Sequence, residues 1–302
     1  MRTSKSPGDI LAVAHLVGLV TLPSYAHRYS PKKFTQPQLF ACLVFKEFMQ
    51  LDYRKLAATL QDAADIRGAI DLDCVPHFTT FQKAAKRLLR RSVVRKLLEV
   101  TIRRAQQLGL IGPRVRLAAL DGTGFESRHV SSYYVQRKAK CTKTTQKITY
   151  SRFPKAGILC DTKSHLILAV VPGQGPGPDI THFRAALDQA RETIRLDALA
   201  ADAGYDSENS HRYARETCHV RSLIPPLIGR PSAKPPRGYW RRQMKSHLKQ
   251  SRYPQRWQVE TVNSMLKRLL GSALRARSYW SRCRELLLRV LTLNIMIVAQ
   301  PP

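Results

Sequence analysis

Two short apolar runs in this sequence each end in an aspartate. Val115 to Asp121 reads VRLAALD and continues into GTGF; Leu196 to Asp202 reads LDALAAD and continues into AGYDS. An acid at the carboxyl end of a central strand faces the rim of the sheet, where open α/β sheets bind their ligands. If the two strands are neighbours, the two carboxylates meet there. Paired carboxylates repel each other unless cations are present. The natural cations for such oxygen ligands are hard divalent ions, Mg²⁺ or Mn²⁺. Aspartate before glycine is also ordinary turn chemistry, and either acid taken singly fits that description. The repeat of the pattern after two apolar strands is what favours a site.

A third acid stands out by its surroundings. Glu260 is the one acidic residue in RYPQRWQVETVNSMLKRLL, Arg252 to Leu270. Pro254 suits the first turn of a helix and Gly271 its end. At about 100° per residue, Tyr253, Arg256 and Lys267 share one stripe with Glu260, spread over roughly 60°. Val262, Met265, Leu266 and Leu269 form the opposite, apolar side. An amphipathic helix with ion pairs one and two turns apart accounts for the apolar side. It gives no reason for the particular front of Tyr, Arg, Glu and Lys.

The elements that must position these residues follow from periodicity. Residues 1 to about 110 are predicted all-helical, with helices over Asp9–Leu22, Pro37–Phe48 and Tyr53–Leu60. The stretch VPHFTTFQKAAKRLL is predicted to start a helix capped by Thr79 or Thr80, with Lys83, Lys86, Arg87, Arg90 and Arg91 along one side. Such a basic helix fits either a DNA-reading element or a solvated bundle face. Gly109 to Pro113 ends the helical pattern. Beyond it, Ala156–Asp161 and His165–Gly173 read as antiparallel strands joined by a tight turn, and Val220–Pro225 as a last strand. Asp179 is predicted to cap a helix over Ile180–Arg195, and Ser207–Thr217 is predicted helical. The basic, Pro-rich segment Leu227–Gly238 reads as a flexible loop. Leu286–Val298 carries Arg289 and is too short to span a bilayer, so it reads as a closing core helix, and the chain is expected to be free of membrane.

Composition points the same way. The 302 residues hold 51 Lys and Arg against 21 acids, a formal charge of +30. From Ile228 to Arg289 there are 16 basic residues and two acids, Glu260 and Glu285. An excess so large and so concentrated implies a polyanionic partner, foremost nucleic acid. Six scattered cysteines without a C-x-x-C pair fit a reduced, cytoplasmic protein and no zinc ribbon. No phosphate-binding glycine loop or nucleophile motif occurs.

Taken together, the motifs are recognisable. Tyr253, Arg256, Glu260 and Lys267 fit Y-x2-R-x3-E-x6-K without mismatch. That pattern resembles the Y-R-E-K signature of bacterial insertion-sequence DDE transposases, the broad class of insertion sequences four and five. LDGTGF at Asp121 and AADAGYDS at Asp202 resemble that family's two aspartate motifs, and the separations of 81 and 58 residues are similar too. So is VPHFTTFQKAAKRL in the N-terminal half. The resemblance implies an α/β fold: a helical N-terminal domain over residues 1–110 for DNA binding or dimerisation, then a ribonuclease H-like mixed sheet flanked by helices over residues 111–302. It implies that Asp121, Asp202 and Glu260 hold two Mg²⁺ or Mn²⁺ ions and that Tyr253, Arg256 and Lys267 hold the DNA end. It implies terminal inverted repeats and target DNA as partners, a homodimer in the synaptic complex, and a place with the nucleoid. Asp206 is expected to serve the next helix cap through Ser207 and not to bind metal. A non-catalytic DNA-binding regulator or inactivated remnant, and a structure-specific nuclease on the same fold, are the rival expectations.

Overall fold

The computed structural model describes residues 3–29, 31–127, 134–138, 147–227 and 236–300. The predicted Pro-rich loop at 227–238 lies mostly outside the described residues. The N-terminal third is helical: α1 (Pro7–Thr21), α2 (Gln36–Phe48), α3 (Tyr53–Asp62), α4 (Ala64–Gly68), α5 (Phe78–Leu88) and α6 (Arg91–Gln107). The short β1 (Arg114–Val115) then leads into β2 (Ala118–Gly124), β3 (Glu126–Ser127), β4 (Tyr134–Lys138), β5 (Lys147–Ser151), β6 (Phe153–Asp161) and β7 (Ile167–Gly175). Next come α7 (Phe183–Arg191), β8 (Arg195–Leu196), β9 (Ala198–Ala201), α8 (Glu208–Arg212), β10 (Arg221–Leu223) and α9 (Tyr239–His247). The chain closes with α10 (Gln258–Leu270), β11 (Ala273–Leu274) and α11 (Tyr279–Val298).

Several starts differ from the sequence-based expectation for local reasons. Ser6, not Asp9, caps α1: its side chain accepts from the Asp9 amide while Pro7 takes the first helical position, where its missing N–H costs nothing. Thr35 and Gln38 form a reciprocal capping box on α2, satisfying two orphan donors. The cap residue of α5 is His77, without a side-chain bond to the helix; its Nδ1 instead meets Thr79 Oγ1 at 2.9 Å. The basic side of α5 is solvent-facing at Lys83 and Lys86, whereas Arg87 reaches back to Gln36 Oε1 on α2 at 3.1 Å.

The main sheet has the order β10-β9-β2-β6-β7. β10, β9 and β2 run parallel; β6 is antiparallel to β2, and β7, antiparallel to β6, runs in the direction of β2 again. β9 and β2 are the buried pair expected to carry the acids. Residues 198–201 and 118–120 are fully shielded, and apolar runs shielded on both faces are typical of parallel strands under helices. α9 and α10 cover one face, where Leu117, Ala198, Ala200 and Leu223 pack on Met244. α7 lies on β6 and β7. One continuous core runs from α1 and α2 through α6 and the sheet to α11. Every residue of α11 from Leu286 to Val298 is buried, Arg289 included. Among the described residues no helix is long and apolar enough to cross a membrane.

Candidate active site

Asp121 and Asp202 occupy equivalent places on neighbouring strands. β2 and β9 pair in parallel register up to Leu120 opposite Ala201, and each acid is the next residue. Asp202 leaves its strand as the cap of a short 3-10 turn, accepting from the Gly204 amide at 2.9 Å. Asp121 remains in the sheet, opposite Ile158 of β6. Burial pushes its carboxyl pKa up; the charges of Asp202 and Asp179 add to this, and Arg256 opposes it.

α10 passes over these strand tips. The helix expected from Pro254 begins as a 3-10 turn, Tyr253–Trp257, and becomes α-helical at Gln258. It ends where Gly271 adopts φ 95°, a conformation that favours glycine. Despite the tighter start, Arg256 Nη2 donates to Glu260 Oε1 at 2.5 Å. The Arg256 guanidinium is half-buried; burial works against its charge, but the bond to Glu260 and the charges of Tyr253, Glu260 and Asp121 outweigh that, so its pKa is raised. Arg256 thus lies in the combined field of Glu260 and Asp121. Tyr253 packs against the Leu117–Met244 cluster. Burial raises its hydroxyl pKa, Arg256 opposes the rise, and Asp202 adds to it.

Five of the six expected site residues are therefore brought into one electrostatic neighbourhood. Lys267 is the exception: its ammonium stands 5.6 Å over the Phe125 ring, beyond the end of β2. Glu260 is included through Arg256, and its own carboxylate is 56% exposed. Among the described residues no three His, Cys, Asp or Glu side chains are arranged to hold a metal ion. Asp121 and Asp202, oxygen-donor carboxylates at matching positions on adjacent strands, are the donor chemistry that a hard cation takes. Glu260, bonded to Arg256 through Oε1, does not join that donor set in this arrangement.

Three groups escaped the sequence reading. Asn263 Nδ2 donates to Asp121 Oδ2 at 3.0 Å, and its own Oδ1 is buried without a partner. Its place three residues after Glu260, on the adjoining helix stripe, was the available signal. Asp179 does not cap a helix over 180–195. It opens a 3-10 turn, Asp179–His182, with α7 ending at Arg191. Its carboxylate pairs with Lys155 at 2.7 Å and lies so close to Gly122 that a Cβ there would overlap it. Glycine after Asp121 is therefore a packing requirement as well as turn chemistry. Tyr205 is fully buried with an unpartnered hydroxyl; burial, then the charges of Asp179, Asp121 and Asp202, push its pKa up.

Asp206 also does more than precede a cap. Ser207 caps α8 as expected, while the buried Asp206 carboxylate accepts from Arg241 Nε and Nη2 and from the Leu227 amide at 2.7 Å. Burial opposes its charge, but the His211 ring 3.6 Å away, Arg241 and the Leu227 amide hold its pKa below the usual carboxylate range. Asp206 ties α9 to the second aspartate motif.

A search of curated proteins returns no match. The sequence pattern of the transposase DDE domain family matches residues 113–295, from β1 through most of α11 and including Asp121, Asp202 and the whole of α10. That match spans well over half of the chain, and the chain belongs to the transposase DDE domain family.

Proposed function

We propose that this chain is a DNA transposase of the bacterial insertion-sequence four and five class, which cuts element ends and joins them to target DNA. The observation that carries the reading is the parallel register setting Asp121 beside Asp202, with Asn263 of α10 donating to Asp121 and Arg256 of the preceding 3-10 turn in the field of Asp121. Asp121, Asp202 and Glu260 would hold two Mg²⁺ or Mn²⁺ ions. Bound ions of this kind make water nucleophilic at neutral pH and stabilise the leaving oxygen of an in-line displacement.

The chain's own residues supply the rest. Asn263 holds one oxygen of Asp121 and leaves the other directed to the ligand. Arg256 exchanges Glu260 for a phosphate of the DNA end, and the carboxylate it releases turns to the metal site. Tyr253 offers a ring and a hydroxyl at the edge of the same cleft, suited to stacking on an end nucleotide. Lys267, two turns beyond Glu260, meets the backbone further along. Hydrolysis at the element end frees a 3′-OH. That hydroxyl then attacks a target phosphodiester, forming one P–O bond as another breaks, so no ATP is consumed. The helical N-terminal part, residues 1–110, would read the ends or pair two chains in a synaptic dimer acting at the nucleoid.

Incubation with terminal-repeat DNA, with and without Mg²⁺, tests this. Wild type should cut and join only with metal. Asp121→Asn and Glu260→Gln should bind ends and not cut; normal cutting by either would refute the assignment. The second reading, a DNA-binding regulator or inactivated remnant, draws on the engagement of Glu260 with Arg256. It requires that wild type bind in both conditions and cut in neither.

A further inference from the structure

The end of the sheet away from the carboxylates carries a second concentration of positive charge. Two hollows open there, of about 720 and 580 Å³, and Arg114 borders both. Arg116, Lys163 and Arg252 line the first; Arg195 and Arg221 line the second. All six cations are exposed. The acids beside them are already engaged. Asp161 accepts from the Ser164 amide and hydroxyl at 2.8 and 2.6 Å, and Asp197 pairs with Arg114. Among the described residues, Arg116, Lys163, Arg195, Arg221 and Arg252 form no ion pair, so five charges face solvent unbalanced.

Their placement follows the sheet. Arg221 opens β10, Arg195 leads into β9, Arg116 precedes β2, and Lys163 sits in the turn after β6. These are four neighbouring strands. At about 4.8 Å between strands the row spans roughly 14 Å. Each strand of duplex DNA carries a phosphate every ~3.4 Å of axis, so the row matches the rise of about four phosphates. A single phosphate would satisfy one or two of these cations; an extended polyanion satisfies the row. Arg116 lies five residues before Asp121, roughly 17 Å along the strand, so the row of strand-borne cations stands away from the two aspartates, and Arg252 joins it from the segment that leads to Tyr253.

We propose that this end of the sheet is a second DNA-binding surface, which grips the backbone of a duplex segment other than the one at the carboxylates. The choice of DNA as the polyanion rests on the transposase reading above. Two segments share the chemistry: target DNA and the element's own DNA inward of its end.

The test is a triple substitution, Arg116→Ala, Arg195→Ala and Arg221→Ala, assayed by fluorescence anisotropy on a random-sequence duplex with a chelator present. A second triple, Arg184→Ala, Arg212→Ala and Lys245→Ala, removes the same charge from exposed helix positions outside both the N-terminal part and the assigned site. Losing three phosphate contacts lowers the slope of log affinity against log salt by about 2.7, so wild type loses ~40-fold more affinity than the variant between 50 and 200 mM salt. The helix triple should keep most of the wild-type slope. An unchanged slope in the sheet-end triple, or an equal loss in the helix triple, overturns the proposal. A glutamine version, Arg116→Gln, Arg195→Gln and Arg221→Gln, with a melting curve, guards against misfolding. Repeating the titration with an end-bearing duplex assigns the segment: a loss confined to random DNA identifies the target, and a loss on both identifies the element's own DNA as well. Because no metal is present, a chain that never cleaves leaves this result standing.

Discussion

Arg289 offers a sharp test of how the N-terminal helices and the DDE-domain part hold each other. Its guanidinium is buried within α11 and donates from Nε to Glu47 Oε1 of α2 at 2.9 Å. Nη2 reaches Ala273 O at 2.9 Å and Glu285 Oε1 at 3.0 Å, and Nη1 reaches the carbonyl of Gly271, the residue that ends α10. One side chain therefore joins α2, α11 and the exit of the helix bearing Glu260. Arg289→Met leaves Glu47 buried with only Lys46 beside it. Removing one partner of a buried pair costs about 3–5 kcal/mol. With ~2.1 cal/mol/K of unfolding entropy per residue over 302 residues, about 4 kcal/mol lowers Tm by roughly 6 °C. Scanning calorimetry measures this directly. Glu47→Gln with Arg289→Met should show a coupling of about 1–3 kcal/mol, although the Gly271 and Ala273 carbonyls stay without their donor. The pH dependence has a definite sign. Burial opposes the Glu47 carboxylate, but Lys46 and Arg289 outweigh it and lower its pKa in the fold. The contribution is therefore complete above the ordinary carboxylate pKa of about 4.3 and fades as pH falls through the lower folded value. The gap between wild type and Arg289→Met should narrow in acid. A variant melting within about 1 °C of wild type at neutral pH, or a gap that widens in acid, would refute this account.

Other perturbations address the site itself. Asn263→Ala should weaken Mn²⁺ binding, read by electron paramagnetic resonance, by about 10- to 100-fold, the usual effect of losing a group that orients a ligand; unchanged affinity would remove Asn263 from the site. Arg256→Ala should cut DNA-end binding and lower its salt slope by about 0.9, while Mn²⁺ affinity holds or rises because Glu260 is freed; a collapse of metal affinity would contradict that role. Gly122→Ala forces a methyl onto the Asp179 carboxylate and should destabilise by about 1–3 kcal/mol. In an Asp179→Ala background the same change should cost less, and an equal cost in both backgrounds would show that the contact is unimportant.

The features legible in the sequence were those set by near neighbours. Both apolar runs became buried strands, because period and burial are local properties; Asp202 ends its strand as expected, whereas β2 continues past Asp121 to Gly124 because β6 stays paired with it there. The stripe of Tyr253, Arg256 and Glu260 kept its relation through a 3-10 start, because the four-residue step to Glu260 still closes a bond. Helix ends were displaced by a few residues where two capping groups competed, as at Ser6 and Asp9. The +30 charge implied a polyanion, but its concentration along Ile228–Arg289 pointed only to the C-terminal part. The row at the sheet end is drawn from separate strands, so no window of sequence displays it.

What the tertiary structure alone decided is who meets whom across long separations. Asn263 reaches Asp121 over 142 residues and Arg289 reaches Glu47 over 242; spacing carries no record of either. Asp179 looked like a cap because Pro-Gly-Pro-Asp before a helix is local cap chemistry, yet the β6–β7 hairpin turned its carboxylate over Gly122 onto Lys155. Lys267 shares a stripe with Glu260 in angle but stands two turns further along the axis, at Phe125. The sequence by itself determined which side chains share a strand end or a helix face, since those follow from backbone period. Only the packing of the 3-10 turn and α10 against β2 decided that Asn263 bonds Asp121 while Arg256 holds Glu260, since that depends on axial position, burial and charge balance between separate elements.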